Sequence, residues 1–163
     1  MIYCTGRVPI YGNYGLLRRL LWHRTCFSPP MALNYHLNPE YMLGRISGEG
    51  SVSDGEIVAT VASLMDSPDF REGMDILIDL REVDSISVTT AGIREVALLM
   101  QEDSRVDKNA RIATIVKDRF TYGIVKMFQG LTRKSLPNQV VTESYQEALS
   151  YIRCEIPVDA VFS

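Results

Sequence analysis

Outside its first 30 residues the chain has one histidine, His36, and one cysteine, Cys154. A single imidazole cannot supply the Ser/His/Asp or Cys/His arrangements of nucleophilic catalysis. No group of cysteine, histidine and acidic residues has the spacing of metal ligands. A lone thiol cannot form an internal disulfide, which is typical of an intracellular protein. The sequence therefore predicts a protein that is not an enzyme and that has no metal or cofactor.

Long apolar runs are also missing. No segment approaches the roughly 18 apolar residues of a membrane span, so we expect a soluble, cytoplasmic domain. Acidic residues are absent from the first 30 positions, and from Met31 onward the chain combines 13 basic residues with all 20 acidic ones. Phosphate backbones would repel such an excess of negative charge. We therefore expect no nucleic-acid partner.

The first 30 residues differ in composition from the rest. They contain four arginines and the only tryptophan, and they end in Pro29 and Pro30. The arginines interrupt the apolar run that a secretory or twin-arginine signal needs, whereas a mitochondrial-type presequence fits the arginines but not the scarcity of serine. We interpret residues 1–30 as an over-extended start or a disordered leader, with translation beginning at Met31. The domain is then expected over 31–154 and a tail over 155–163.

Hydrophobic periodicity and capping signals predict the elements of this domain. Ser53 and Glu56 have the capping-box spacing of a helix start, and Asp118 is expected to cap the third helix. The apolar run 76–78 is typical of a strand buried on both faces. Strands separated by helices are parallel when adjacent, with right-handed crossovers, and the first two strands form an antiparallel hairpin. The sequence thus predicts a single α/β domain with a mixed, mostly parallel sheet flanked by helices, in the order ββαβαβαβα. The strands are expected over 33–37, 42–47, 75–80, 111–116 and 139–141.

Glycines mark two further places in the chain. Gly44, Gly48 and Gly50 do not have the spacing of a phosphate-binding loop, and we interpret them as a turn that leads out of the hairpin. Gly123 interrupts the third helix at a cost of about 1 kcal/mol relative to alanine. That cost predicts a close approach to the backbone at Gly123, either by the core or by a ligand or partner.

The positions of residues around the second and third helices predict which of them face the core and which are exposed. In the second helix Leu98 falls outside the core stripe, so we expect it to be exposed. That stripe consists of Ile93, Val96, Ala97 and Met100. The third helix has its expected core residues on one side, namely Phe120, Ile124, Met127, Phe128 and Leu131. Basic residues surround this helix and form either a solvated face or a patch for anionic lipid or phosphate: Lys117, Arg119, Lys126, Arg133 and Lys134.

Several segments resemble a known family. The strand ILIDL over 76–80, a turn and then SVTTAG over 87–92 at a helix start resemble the core of STAS domains, the anti-sigma-factor-antagonist fold. The segment FTYGIVKMF over 120–128 and the later EAL over 147–149 resemble the SpoIIAA-like, STAS/SEC14-type branch. The resemblance covers residues 31–153. It implies the STAS fold and a regulatory role exerted through protein contacts.

The resemblance includes one departure. Phosphorylatable members of that fold read Asp-Ser-Ser-Gly at the turn, and a partner kinase phosphorylates the serine. Here the same place reads SVTT over 87–90, or TTAG over 89–92 if two residues are inserted. The acid and both serines are lost in either register, so a kinase-switched role is not implied. Thr89 and Thr90 are expected to be helix caps.

Two hypotheses of function remain. The first is a non-enzymatic regulatory or protein-interaction module that binds a protein partner or a second copy through the helix beginning at Thr89. Its expected surface consists of Ser87, Thr89, Thr90, Arg94 and Leu98. The second, implied by the SEC14 side of the resemblance, is a lipid-binding or small-ligand domain with an apolar cleft near Tyr122, Gly123 and Lys126.

Overall fold

The computed structural model describes residues 32–152 of the chain. The predicted leader over 1–30, the start at Met31, the tail over 155–163 and Cys154 lie outside the described residues. Within 32–152, no helix combines the length and the apolar content that crossing a bilayer requires. The elements confirm the predicted order ββαβαβαβα: β1 (Leu33–Asn38), β2 (Leu43–Ser53), α1 (Asp54–Asp66), β3 (Asp75–Ser87), α2 (Thr90–Glu102), β4 (Ile112–Ile115), α3 (Arg119–Thr132), β5 (Gln139–Thr142) and α4 (Tyr145–Tyr151).

The strands form one sheet whose spatial order equals the chain order, from β1 to β5. β1 and β2 pair antiparallel, and the three following pairs are parallel, as predicted. Successive crossovers therefore advance in the same direction. Because such crossovers are right-handed, α1, α2 and α3 lie on the same face of the sheet. α4 follows the last strand and packs on the other face, against β4 and β5.

β3 is the central strand, and successive side chains alternate between two apolar clusters. Ile76 belongs to the cluster under α1 and α2. Leu77 is 0% exposed and belongs to the cluster on the other face, together with Ala148 and Ile152 at α4. Alternation of this kind is what a strand with helices on both faces requires. The predicted central, two-sided strand is therefore confirmed.

β2 and β3 are both longer than predicted. β3 continues through Ser87, so the polar segment interpreted as a turn is strand instead. Gly44, Gly48 and Gly50 likewise lie within β2, and their interpretation as a turn out of the hairpin is wrong. Gly48 leaves room for Val83, whose Cγ2 would lie 2.5 Å from a Cβ at this position. Gly50 has a φ of 73° next to a shift in the β2/β3 register, which glycine adopts without strain.

The helices begin at the predicted caps. The Glu56 carboxylate accepts hydrogen bonds from the Ser53 backbone N–H at 2.9 Å and from the Ser53 hydroxyl at 2.8 Å. These bonds lower the pKa of Glu56. Asp118 accepts from the Thr121 N–H at 2.9 Å, and this backbone bond lowers the pKa of Asp118. The local capping signals in the sequence are thus confirmed at α1 and α3.

Two leucines in different environments test this arrangement. Leu77→Ala is expected to lower the free energy of unfolding by about 2–5 kcal/mol, because it leaves a cavity in a closed cluster. Leu98→Ala, on a residue that is 50% exposed, is expected to change it by less than about 0.5 kcal/mol. Urea unfolding of the two variants measures both values. Equal losses would contradict the central position of β3.

Candidate functional site

The starts of α1 and α2 lie side by side. β2 and β3 end at Ser53 and Ser87, which are paired across the parallel ladder. Asp54 is the first residue of α1, and Thr89 is the N-cap of α2. Asp54 Oδ1 accepts a hydrogen bond from the Thr89 N–H at 2.7 Å, and the Thr89 hydroxyl donates to Asp54 Oδ2 at 2.6 Å. One carboxylate therefore joins two helix starts.

The Thr89 hydroxyl also accepts a hydrogen bond from the Gly92 N–H at 3.3 Å, so its predicted role as a cap is confirmed. The Asp54 carboxylate lies where the dipoles of both helices favour negative charge. Gly92 is required by this approach, since a Cβ there would lie 2.0 Å from Asp54 Oδ1. Sequence reasoning missed Asp54, because 35 residues separate it from Thr89 and no local pattern joins them.

The residues predicted to form a surface lie along the start and the outer face of α2. Ser87 is exposed, and its hydroxyl donates to the Val52 carbonyl at 3.3 Å. Thr90 and Arg94 are exposed as well. Leu98 is 50% exposed, which confirms its predicted position outside the core. In Thr89 both the N–H and the hydroxyl donate to Asp54, and the hydroxyl also accepts from the Gly92 N–H. These atoms are therefore already hydrogen-bonded within the fold.

α3 borders this outer face. The Thr90 hydroxyl lies 3.9 Å from the Met127 sulfur, and the Gln101 side-chain amide donates to the Leu131 carbonyl at 3.3 Å. Leu98 lies one turn before Gln101 on the same side of α2. Leu131 is itself 39% exposed. The two helices that meet at the α2/α3 seam therefore have one exposed leucine each.

α3 buries less of its apolar side than the sequence predicts. Phe120 is 67% exposed, and in the first turn the buried side chain is that of Thr121. Leu131 is also exposed, so both residues were wrongly assigned to the core. Phe128 packs against the cluster beneath but stays only half-buried. The helical period predicts which side of α3 faces the core. How many residues on that side are buried depends on the elements that pack against α3, which the period does not show.

The three residues expected at an apolar cleft lie on the outer side of α3. The Lys126 ammonium stands 5.4 Å from the centre of the Tyr122 ring and donates to Gln129 Oε1 at 3.0 Å. A Cβ at Gly123 would meet nothing within 4 Å, so the core does not approach this backbone closely, and approach by a ligand or partner stays a prediction. Tyr122, Gly123 and Lys126 are exposed, and a ligand cleft near them stays a prediction.

An apolar cavity of about 100 Å³ lies instead on the inner side, between the sheet and the three helices α1, α2 and α3. α3 contributes Ile124, Val125 and Phe128 to its wall. The centre of the sheet contributes Ile78 and Thr114.

The buried carboxylate of Asp79 is paired with an arginine two residues further on. Asp79 accepts hydrogen bonds from Arg81, including one at 2.7 Å from Nη2. Burial raises the pKa of Asp79, but the hydrogen bonds and charge of Arg81 outweigh burial and hold that pKa below its usual value. His36 is exposed on β1, at the edge of the sheet. Among residues 32–152, no three histidine, cysteine or acidic side chains are grouped so that they could hold a metal ion.

No protein-family model and no curated protein matches the chain. It is similar in structure to an anti-sigma factor antagonist from Mycobacterium paratuberculosis, with 14% identity, a TM-score of 0.49, and coverage of 77% of this chain and 97% of that one. It is also similar to an uncharacterized DUF3478-family protein with a SpoIIAA-like fold from Shewanella loihica PV-4. For that pair the identity is 14%, the TM-score 0.44, and the coverage 74% of this chain and 92% of that one. At such identity and TM-scores, roles of individual residues do not carry over.

Two glycine-to-alanine variants test the contact between the helix starts. Gly92→Ala is expected to destabilise the protein, because its Cβ would overlap the Asp54 carboxylate. Gly123→Ala is expected to stabilise it by up to about 1 kcal/mol, because the new methyl meets open space and alanine favours the helix. Chemical denaturation measures both changes.

Asp54→Ala provides the control for this pair. In the Asp54→Ala background, Gly92→Ala is expected to lose less stability than in the wild type, because the carboxylate is gone. The effect of Gly123→Ala should be the same in both backgrounds. An unchanged cost of Gly92→Ala would show that Asp54 is not what requires glycine there.

Proposed function

We propose that this domain is a non-enzymatic protein-interaction module of STAS type, and that it binds a second copy of itself through the outer face of α2. The observation that supports this most directly is Leu98. It is half-exposed in the middle of a helix whose inner residues Ile93, Val96 and Ala97 are buried. An exposed leucine alone is common, but α3, which borders this face, has a second exposed leucine, Leu131.

The charges along α2 favour a second copy as the partner. Arg94 lies one helical turn before Leu98, and Glu102 lies one turn after it; both are exposed. If two α2 helices pair antiparallel about a two-fold axis at Leu98, Arg94 of each copy faces Glu102 of the other. The apolar contact is then flanked by two opposite-charge pairs, which fix the orientation of the helices. The face is thus complementary to itself.

The residues at the start of α2 have a supporting role in this proposal. Thr90 is the first residue of α2 and Ser87 is the last residue of β3, so both lie at the N-terminal end of this face. Thr89 is held by Asp54 and Gly92, so its contribution is to position the helix. The proposal of a module without catalysis is consistent with the single histidine after residue 30, which is exposed at the edge of the sheet.

Substitution of Leu98 tests the proposed surface. Leu98→Lys is expected to weaken self-association at least about tenfold, equivalent to about 1.4 kcal/mol, because it places a charge at the centre of the contact. The melting temperature should change little, since the side chain lies outside the core. Sedimentation equilibrium of the full chain measures the association. Tyr41→Lys, on a residue that is 43% exposed in the hairpin, is the matched control and should associate as the wild type does.

A charge exchange tests the antiparallel geometry. Arg94→Glu and Glu102→Arg should each weaken the dimer, because each places like charges opposite one another. The double variant restores both pairs and should recover the association. Failure of the double variant to recover would contradict the proposed pairing, and a wild-type chain that stays monomeric at the highest attainable concentration would contradict self-association through α2.

A further inference from the structure

The apolar cavity between the sheet and the helices has a nearly uniform wall. Of the 22 described residues that line it, all except Thr60 and Thr114 are apolar. They come from the first four strands and from α1, α2 and α3, except for Phe70 and Val88, which lie in the loops before β3 and α2. A cavity of about 100 Å³ is of the order that holds one small hydrocarbon molecule, and a wall without charged groups does not favour an ion.

Thr60 departs from the rest of the wall. It lies in α1 and is fully buried, and among residues 32–152 its hydroxyl oxygen has no hydrogen-bond partner. A threonine in a helix commonly bonds its hydroxyl to a carbonyl one turn earlier. A buried polar group without a partner is rare, because its contact with water is lost and not replaced. The hydroxyl can donate one hydrogen bond and accept others, so a bound molecule with one polar atom can satisfy it.

α3 covers one side of the cavity with side chains that are themselves partly exposed. The residues that it contributes, Ile124, Val125 and Phe128, are only half-buried. Gly123 and Gly130 interrupt the helix although a Cβ at either place would meet nothing within 4 Å. Glycine lowers helix stability, and no packing contact in the described structure requires it here. Local opening is easiest in a segment with few buried contacts, so we infer that a molecule reaches the cavity past α3.

We propose that this cavity binds a small, uncharged, hydrocarbon-rich molecule, and that a single hydroxyl or carbonyl group of the molecule pairs with the Thr60 hydroxyl. The apolar wall selects the hydrocarbon part, and Thr60 selects and orients the polar atom. This inference goes beyond the proposed self-association. Leu98 and Arg94 are not among the cavity-lining residues, so each proposal can fail while the other holds.

The experiment compares phenol and benzene as probes, since they differ by one hydroxyl group. Calorimetric titration of the full chain should show that both bind. Thr60→Val removes the hydroxyl and keeps the shape of the side chain. It should weaken phenol binding about tenfold, while benzene affinity changes by less than about threefold. Thr60→Ser keeps the hydroxyl and should retain phenol binding.

A second pair of variants places the probes in the cavity. Ile124→Trp fills the cavity from its half-buried wall and should abolish binding of both probes, without loss of melting temperature. Tyr41→Trp, on an exposed residue of the hairpin that does not line the cavity, is the matched control and should bind both as the wild type does. Absence of binding by the wild type, or unchanged binding in Ile124→Trp, would overturn the proposed site. Equal effects of Thr60→Val on the two probes would overturn the role of Thr60.

Discussion

Right-handed crossovers in a sheet whose strands follow the chain order determine most of this architecture. Each step from β2 to β5 moves to the next position in the sheet. A right-handed connection then passes over the same face every time, so α1, α2 and α3 must share it. α4 has no following strand and covers part of the other face. The parallel strands also end at one edge, which brings successive helix starts together.

The contact between Asp54 and Thr89 follows from that common edge. Ser53 and Ser87 are opposite one another in the ladder, so the residues after them are close whatever their separation in sequence. The Thr89 hydroxyl donates to Asp54 and accepts from Gly92, so it stabilises the contact between the two helix starts. The carboxylate of Asp54 supplies negative charge at the start of α2, where the helix dipole favours it.

The local part of this structure could be predicted from the sequence, whereas the long-range part could not. Ser53, Thr89 and Asp118 cap helices through neighbouring residues, and short-range spacing reveals them. The continuation of β3 to Ser87 depends on pairing with β2, and its alternating polar residues gave no sign of that partner. Phe120 lies on the same side of α3 as the core residues, so the helical period predicts that it is buried. The period does not show how far the sheet extends beneath the helix, and Phe120 is exposed. The cavity and the isolated Thr60 hydroxyl arise only when three helices meet one face.

α2 separates two surfaces that have different physical requirements. Its inner residues, including Ile93 and Val96, line the cavity, whereas Arg94 and Leu98 face outward. A molecule in the cavity affects association at the outer face only if it binds the associated and free states with different affinity. Such a difference requires α2 to move relative to the sheet. Asp54 opposes that motion at the start of the helix, because any shift of Thr89 stretches two hydrogen bonds. The Asp54 contact therefore opposes coupling between the inner and outer faces of α2.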